Sequence, residues 1–313
     1  MKLSRESLEL TQEDLADDLG VDKNTIQGWE TGRRALTSTR VNTYIRVRNR
    51  LRALGASPQL LVALDLATEA DHFLAHVISA EPDDVQPDNH PLATWVVTRQ
   101  LSEMLAWPFT KNTPPCLGSV QNVRRRGPVV SSPNLSREGQ ERFFDHLKVL
   151  GENASSPRAS SSAAVLLRRQ TYYCLSWDRA PSTRAWLADM RRAEHGRIGV
   201  RRGWSPLWVA LRSLFVARAR QGDKEPLRHF IACSMTGDDT CESANLNYWI
   251  YWIGESRIAE HSDAFMVKDL HCSAGLTLFR RLEENLRSGE LLLDLYVHSI
   301  WALLQRRARF ACL

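Results

Sequence analysis

The residues best suited to chemistry in this sequence lie between Asp22 and Arg34, and the chemistry they suit is recognition. Lys23, Asn24, Gln27 and Gly28 sit within six positions of one another. An asparagine or glutamine amide can make paired hydrogen bonds to the major-groove edge of adenine, and a lysine can donate to guanine. Gly28 removes bulk where a base pair would approach. Arg33 and Arg34 follow directly, where phosphates would lie.

Such a set works only on a rigid helix, and the flanking sequence predicts one. Thr11 is a good N-cap, and Asp14 three residues on makes an aspartate version of the capping box. Leu15, Ala16 and Leu19 recur at helical spacing, and Gly20 can take the left-handed backbone that ends the helix. Asp22 caps a second helix in which Ile26 and Trp29 share a face, and Gly32 closes it. Lys23, Asn24, Gln27 and Gly28 then point away from the apolar stripe. Two capped helices this short cannot bury their stripes alone, so the spacing predicts a helix-turn-helix packed against neighbouring helices.

The stretch Leu10–Arg34 resembles the Cro/C1-type (Xre) helix-turn-helix of bacterial and phage repressors. The residues that carry the likeness are Leu10-Thr11-Gln12, Leu15-Ala16, Leu19-Gly20-Val21, Thr25-Ile26, Trp29-Glu30 and Gly32-Arg33. The resemblance implies a lambda-repressor-like domain in which Lys23, Asn24, Gln27 and Gly28 face the bases. It also implies that Gln12 meets the DNA backbone and buttresses the reading helix. Gln12, Thr25, Arg33 and Arg34 are accordingly the expected phosphate contacts.

At 313 residues the chain has room for two domains, and its net charge of +5 permits a nucleic-acid partner without requiring one. The distribution is more telling. Seven arginines fall between Arg33 and Arg52 with no acid among them, and the next carboxylate is Asp65. Such a run adds sequence-independent phosphate affinity. There is no apolar run of transmembrane length and no signal-peptide pattern, so a cytoplasmic, nucleoid-associated protein with reduced cysteines is expected, without membrane contact.

Beyond the motif, Val41–Leu54 and Pro58–Ile78 read as long helices. One helix is predicted from Leu92 to Trp107, stopping at Pro108, and another from Ser136 to Leu150. Seven more follow between Leu166 and Arg309, so the fold is all-α, with antiparallel pairs stacked in the manner of a helical repeat. The expected division is a helix-turn-helix domain over 1–56 and a larger helical regulatory or dimerisation domain over 57–313. Mobile linkers are expected at about 110–136, which includes the triple arginine 124–126, and at 151–164, which is rich in serine.

The densest aromatic run is in the second half. Asn245, Tyr248, Trp249 and Trp252 share a helix face, and such a face can line a ligand pocket or an interface, although an ordinary core helix explains it as well. The run resembles the C-terminal halves of long actinomycete Xre regulators, which implies regulation without naming an effector. Cys233, Cys241, His271 and Cys272 lack paired metal-ligand spacing, so no metal and no cofactor is expected. Acid–histidine neighbours such as Asp145-His146 and Glu260-His261 point in different directions on a helix, and no catalytic constellation emerges.

The sequence therefore predicts a non-enzymatic transcription regulator, more often repressor than activator. It would read a near-palindromic double-stranded operator as a homodimer, with a peptide, protein or small molecule as effector. The rival reading is an interaction component of toxin–antitoxin or phage-defence type, in which the helical half is the functional part.

Overall fold

The structure is a computed structural model that describes residues 1–80, 90–120, 133, 135–156, 161–195, 203–254, 259–268, 275–287 and 289–311. Among these residues the chain is helical and contains no strand. It divides into two compact units, Met1–Ser79 with Gln100–Phe143, and Ala80–Arg99 with Phe144–Leu313.

The first unit begins with α1 (Lys2–Ser7), α2 (Gln12–Leu19), α3 (Lys23–Thr31), a 3₁₀ turn at Leu36–Ser38, α4 (Val41–Ala53) and α5 (Pro58–Ser79). Leu15, Leu19, Ile26, Trp29, Val47 and Leu51 form its core, and α5 adds Leu61 and Leu64, so that core runs past residue 56. Each such side chain contributes about 1.5–3 kcal/mol on burial, more than helices of six to nine residues gain from propensity.

Helices α4 and α5 are locked by charge. Arg48 donates from Nε and Nη2 to both oxygens of Asp65, and the Tyr44 hydroxyl donates to Asp65 Oδ1 at 2.5 Å. Burial alone would raise the Asp65 pKa, but the bonds from Arg48 and Tyr44 outweigh it and hold the carboxyl below its ordinary value. A depressed carboxylate stabilises the fold above its unfolded pKa, and that stability is lost as pH falls through the folded pKa. Asp65→Asn is therefore expected to lower the urea midpoint at neutral pH, with the gap to wild type closing below about pH 4. A gap that persists under acid would refute the account.

Helices α6 (Pro91–Thr94) and α7 (Arg99–Thr110) replace the single helix expected over 92–107, and α7 runs through Pro108. The break has a tertiary cause. Gln170 donates to the Leu92 and Trp95 carbonyls and accepts from the Val97 N–H, while the Val96 N–H donates to the Glu260 carbonyl. Backbone groups held this way cannot also bond along a helix. Pro108 lacks the N–H that would bond the carbonyl four residues back, and the helix ends two residues after it.

Helix α8 (Arg137–Ala154) runs four residues into the linker expected at 151–164, and α9 (Ser162–Leu175) claims its other end. Gly151 breaks nothing. A side chain there would come within 2.7 Å of the Trp186 ring, so the glycine admits a close packing neighbour. Residues 157–160 lie outside the described residues, as do 121–132 of the other expected linker, including the triple arginine. In the described part of that linker Leu117 is buried on a 3₁₀ turn, Pro115–Val120. In the first unit Phe143 of α8 packs against Phe109 of α7 and edge-on against Phe73 of α5.

The second unit adds α10 (Pro181–His195), α11 (Pro206–Arg220), α12 (Glu225–Ser234), α13 (Asp239–Trp252), α14 (Gly275–Glu283) and α15 (Leu293–Ala311). Helix α11 packs along α9 and α12, and α13 against α15 and a 3₁₀ segment, Asp263–Val267. Trp208, Leu246, Tyr251, Met266 and Leu295 lie in its core.

Candidate nucleic-acid interface

The helix-turn-helix is built from local capping. Thr11 Oγ1 accepts the Asp14 N–H at 3.1 Å, and Asp14 Oδ2 accepts the Thr11 N–H at 2.8 Å. The Thr11 hydroxyl also donates to Asp14 Oδ2 at 2.7 Å, and this bond, with the one from the Thr11 N–H, pulls the Asp14 carboxyl below its usual pKa. Gly20, at φ +61°, turns the chain through a left-handed conformation that no β-carbon would share comfortably. Asp22 caps α3 by accepting the Asn24 N–H at 2.7 Å, and Gly32 ends that helix, again with positive φ.

The buried side of α3 is Ile26 and Trp29, and its outer side carries exposed Lys23, Asn24 and Gln27. Lys23 Nζ bonds Glu13 Oε1 at 2.8 Å with both side chains more than half exposed. A surface pair of this kind is worth about 0–1 kcal/mol, so it yields readily to a better acceptor. Gly28 does not belong with the outward three. It is buried, its carbonyl accepts the Arg34 N–H at 3.1 Å, and an added β-carbon would lie 3.3 Å from that of Arg34. Its missing side chain lets the Arg33-Arg34 turn fold back onto α3.

Arg33 and Arg34 are exposed on the rim of a groove that Asp22, Asn24, Thr25 and Gly28 complete. Of the seven arginines between 33 and 52, two are engaged internally, Arg48 with Asp65 and Arg50 with Asp18. Arg33, Arg34, Arg40, Arg46 and Arg52 are exposed.

Glu30 of α3 holds the unit together in a way the spacing did not reveal. Its carboxylate accepts Arg5 Nε at 2.7 Å and Nη2 at 3.1 Å from α1, and Gln12 Nε2 at 2.7 Å from α2. The Glu30 side chain is 2% exposed. Gln12 is thus bonded to α3.

In the second unit the aromatic residues do come together, under cover. Asn245, Tyr248 and Trp249 are buried on α13, and Trp252 stacks on Tyr248 with ring centroids 5.9 Å apart. Two buried arginines meet them. Arg212 of α11 donates from Nε to Asn245 Oδ1 at 2.9 Å and lies 4.5 Å over the Tyr248 ring and 5.5 Å over Trp249. Arg169 of α9 donates to Asp263 Oδ1 at 2.7 Å and lies 5.5 Å over Tyr248. Asn245 Nδ2 and Trp249 Nε1 both donate to Ser299 Oγ. A desolvated guanidinium on an aromatic face gains about 2 kcal/mol, against a cost of several kcal/mol for burying its charge. Of the scattered cysteines and histidine of the second half, Cys233 is exposed beside His229, Cys241 is buried, and His271 and Cys272 lie outside the described residues.

With the geometry in place, comparison with known proteins falls on the same region. The helix-turn-helix family matches residues 1–47, which span α1 to α3 and enter α4. This is a Cro/C1-type helix-turn-helix domain, and the protein is a DNA-binding transcription regulator in kind. No curated protein and no solved structure matches the chain. No helix among the described residues is long and apolar enough to cross a membrane.

Proposed function

We propose that the protein is a cytoplasmic, sequence-specific repressor that reads a near-palindromic operator as a homodimer, without enzymatic activity. Lys23, Asn24 and Gln27 read base edges, Gly28 lets the arginine turn close behind them, and Thr25, Arg33 and Arg34 hold phosphates. Gln12 sets the pose of the reading helix. The observation that carries this reading is the exposed polar edge of α3, fixed from behind by the buried Glu30 carboxylate. One such unit spans too few base pairs for genomic specificity, so two half-sites about 34 Å apart, or a multiple of that, are required.

The experiment separates base reading from phosphate contact on one operator and one random duplex. Asn24→Ala or Gln27→Ala is expected to cost about 1–3 kcal/mol on the operator and little on random DNA. Arg33→Ala or Arg34→Ala weakens both and flattens the salt dependence. Equal losses on both duplexes for Asn24→Ala would remove the base-reading assignment.

For the dimer contact we place the second copy on α15. Val297, Trp301 and Leu304 fall on one face and are 51%, 42% and 50% exposed. A two-fold interface sets such a stripe against itself. Trp301→Glu is expected to convert a dimer to a monomer in light scattering. Wild type running as a monomer on and off DNA would refute the arrangement.

A further inference from the structure

The second unit buries more positive charge than its described residues neutralise. Arg169 and Arg212 are 3% and 4% exposed. Asp263 answers Arg169, whereas among the described residues Arg212 meets an amide oxygen and two ring faces. On each guanidinium Nη2 has no hydrogen-bond partner. Among the described residues no carboxylate bonds Arg212. Burial, with the neighbouring charges of Arg169 and Arg220, pulls its pKa down against the opposing effect of the Tyr248 hydroxyl, to about 10. Arg220 itself lies 4.6 Å over the Tyr173 ring.

A guanidinium that served packing alone would turn its faces to rings and fill its edge with protein oxygens. Arg212 does the first and half of the second: Nε is used, and Nη2 is left over. Open N–H groups on a dry guanidinium edge suit the oxygens of a carboxylate or phosphate, which receive them in fixed, paired geometry. The aromatic walls fit the same occupant, since they exclude water and so strengthen each charge-assisted bond. We propose that Arg212 and Arg169, walled by Tyr248 and Trp249, form a buried receptor for one small oxyanion. The site takes no support from the DNA-binding reading, and its test contains no DNA, so either can fail alone.

The test uses the full chain, wild type and Arg212→Met, titrated with benzoate and with inorganic phosphate against chloride at equal ionic strength. Calorimetry is expected to show one molecule of one oxyanion bound per chain, with a melting temperature that rises as that anion is added. A benzoate response identifies a carboxylate ligand, and a phosphate response identifies a phosphoryl one. Phosphate also stabilises proteins by exclusion from their surface, so the readout is the difference between wild type and variant. Arg212→Met, which removes the unanswered charge and keeps the bulk, is expected to melt in chloride no lower than wild type and to lose the response. Arg212→Lys keeps the charge without the fork and is expected to bind about tenfold more weakly or worse, which decides the matter should the methionine variant not fold. No calorimetric binding of either oxyanion to wild type overturns the proposal. So does a full response in either variant, or an Arg212→Met protein that folds but melts well below wild type in chloride, which would make Arg212 a packing clamp.

Discussion

Replacing Glu30 by alanine is expected to destabilise the first unit by about 3–5 kcal/mol, because it removes the carboxylate bonded to a nearly buried arginine. The Arg5 side chain is 11% exposed and gives Nε and Nη2 to Glu30, while Nη1 donates to the Leu10 carbonyl at 2.7 Å. Gln12 loses its acceptor in the same step. The Leu10 bond and a 3.8 Å ion pair with Glu6 survive, which places the loss toward the lower end of that range. Glu30→Gln keeps an acceptor oxygen and should lose less. Removing both charges, as Arg5→Met with Glu30→Leu, should recover most of the stability, since the penalty arises from an arginine left without its bonded carboxylate. Urea unfolding of the full chain measures the losses, and amide exchange in α2 and α3 locates them. An alanine variant within about 1 kcal/mol of wild type would show that the pair is not held as described.

The contrast between Glu30 and the caps explains what the sequence could reveal. Thr11 with Asp14, Asp22 with Asn24, and the left-handed Gly20 and Gly32 act within three residues of their partners, so residue type and spacing suffice to place them. Glu30 reaches Arg5 across 25 positions and Gln12 across 18, and no local rule selects those partners. The resemblance to Xre regulators implied that Gln12 buttresses the reading helix, yet the acid that receives it was hidden.

Glycine misled for a related reason. Gly28 and Gly151 share a residue type with the turn glycines but are used for their missing side chain, against Arg34 and Trp186. A sequence shows that a glycine is present without showing what approaches it. Serines after Gly151 strengthened the impression of a linker, although α8 continues through it.

The buried arginines left a trace that periodicity could have exposed. Arg212 lies between Val209 and Val216 at helical spacing, and Arg169 between Leu166 and Tyr173, so both charges fall on apolar stripes. Arginine on a helix is usually a solvated residue, so spacing alone does not single these two out. Helix α13 is legible in the sequence, but the partners of Asn245 and Asn247 are not. Both amides are satisfied inside, Asn245 by Arg212 and Ser299, and Asn247 by the Met266 and Lys268 carbonyls.

The same physics gives a still larger expected loss in the second unit, from Asp263→Ala. Asp263 and Arg169 have side chains 6% and 4% exposed, and their 2.7 Å bond is the only one described for that guanidinium. Arg5 retains a carbonyl when Glu30 is removed, but Arg169 would keep only the Tyr248 face at 5.5 Å. The alanine variant is therefore expected near the top of the 3–5 kcal/mol range, above Glu30→Ala. Arg169→Met with Asp263→Leu should come within about 1–2 kcal/mol of wild type, since two packed apolar side chains replace the pair without an orphaned ion. The single variant should also loosen its surroundings. Asp263 begins the 3₁₀ segment, and the carbonyls of Met266 within it and Lys268 just after it hold Asn247, so faster amide exchange is expected along 263–268 and in α13. Were the single and double variants equally unstable, lost packing would account for the defect, and the charge argument for this pair would be wrong.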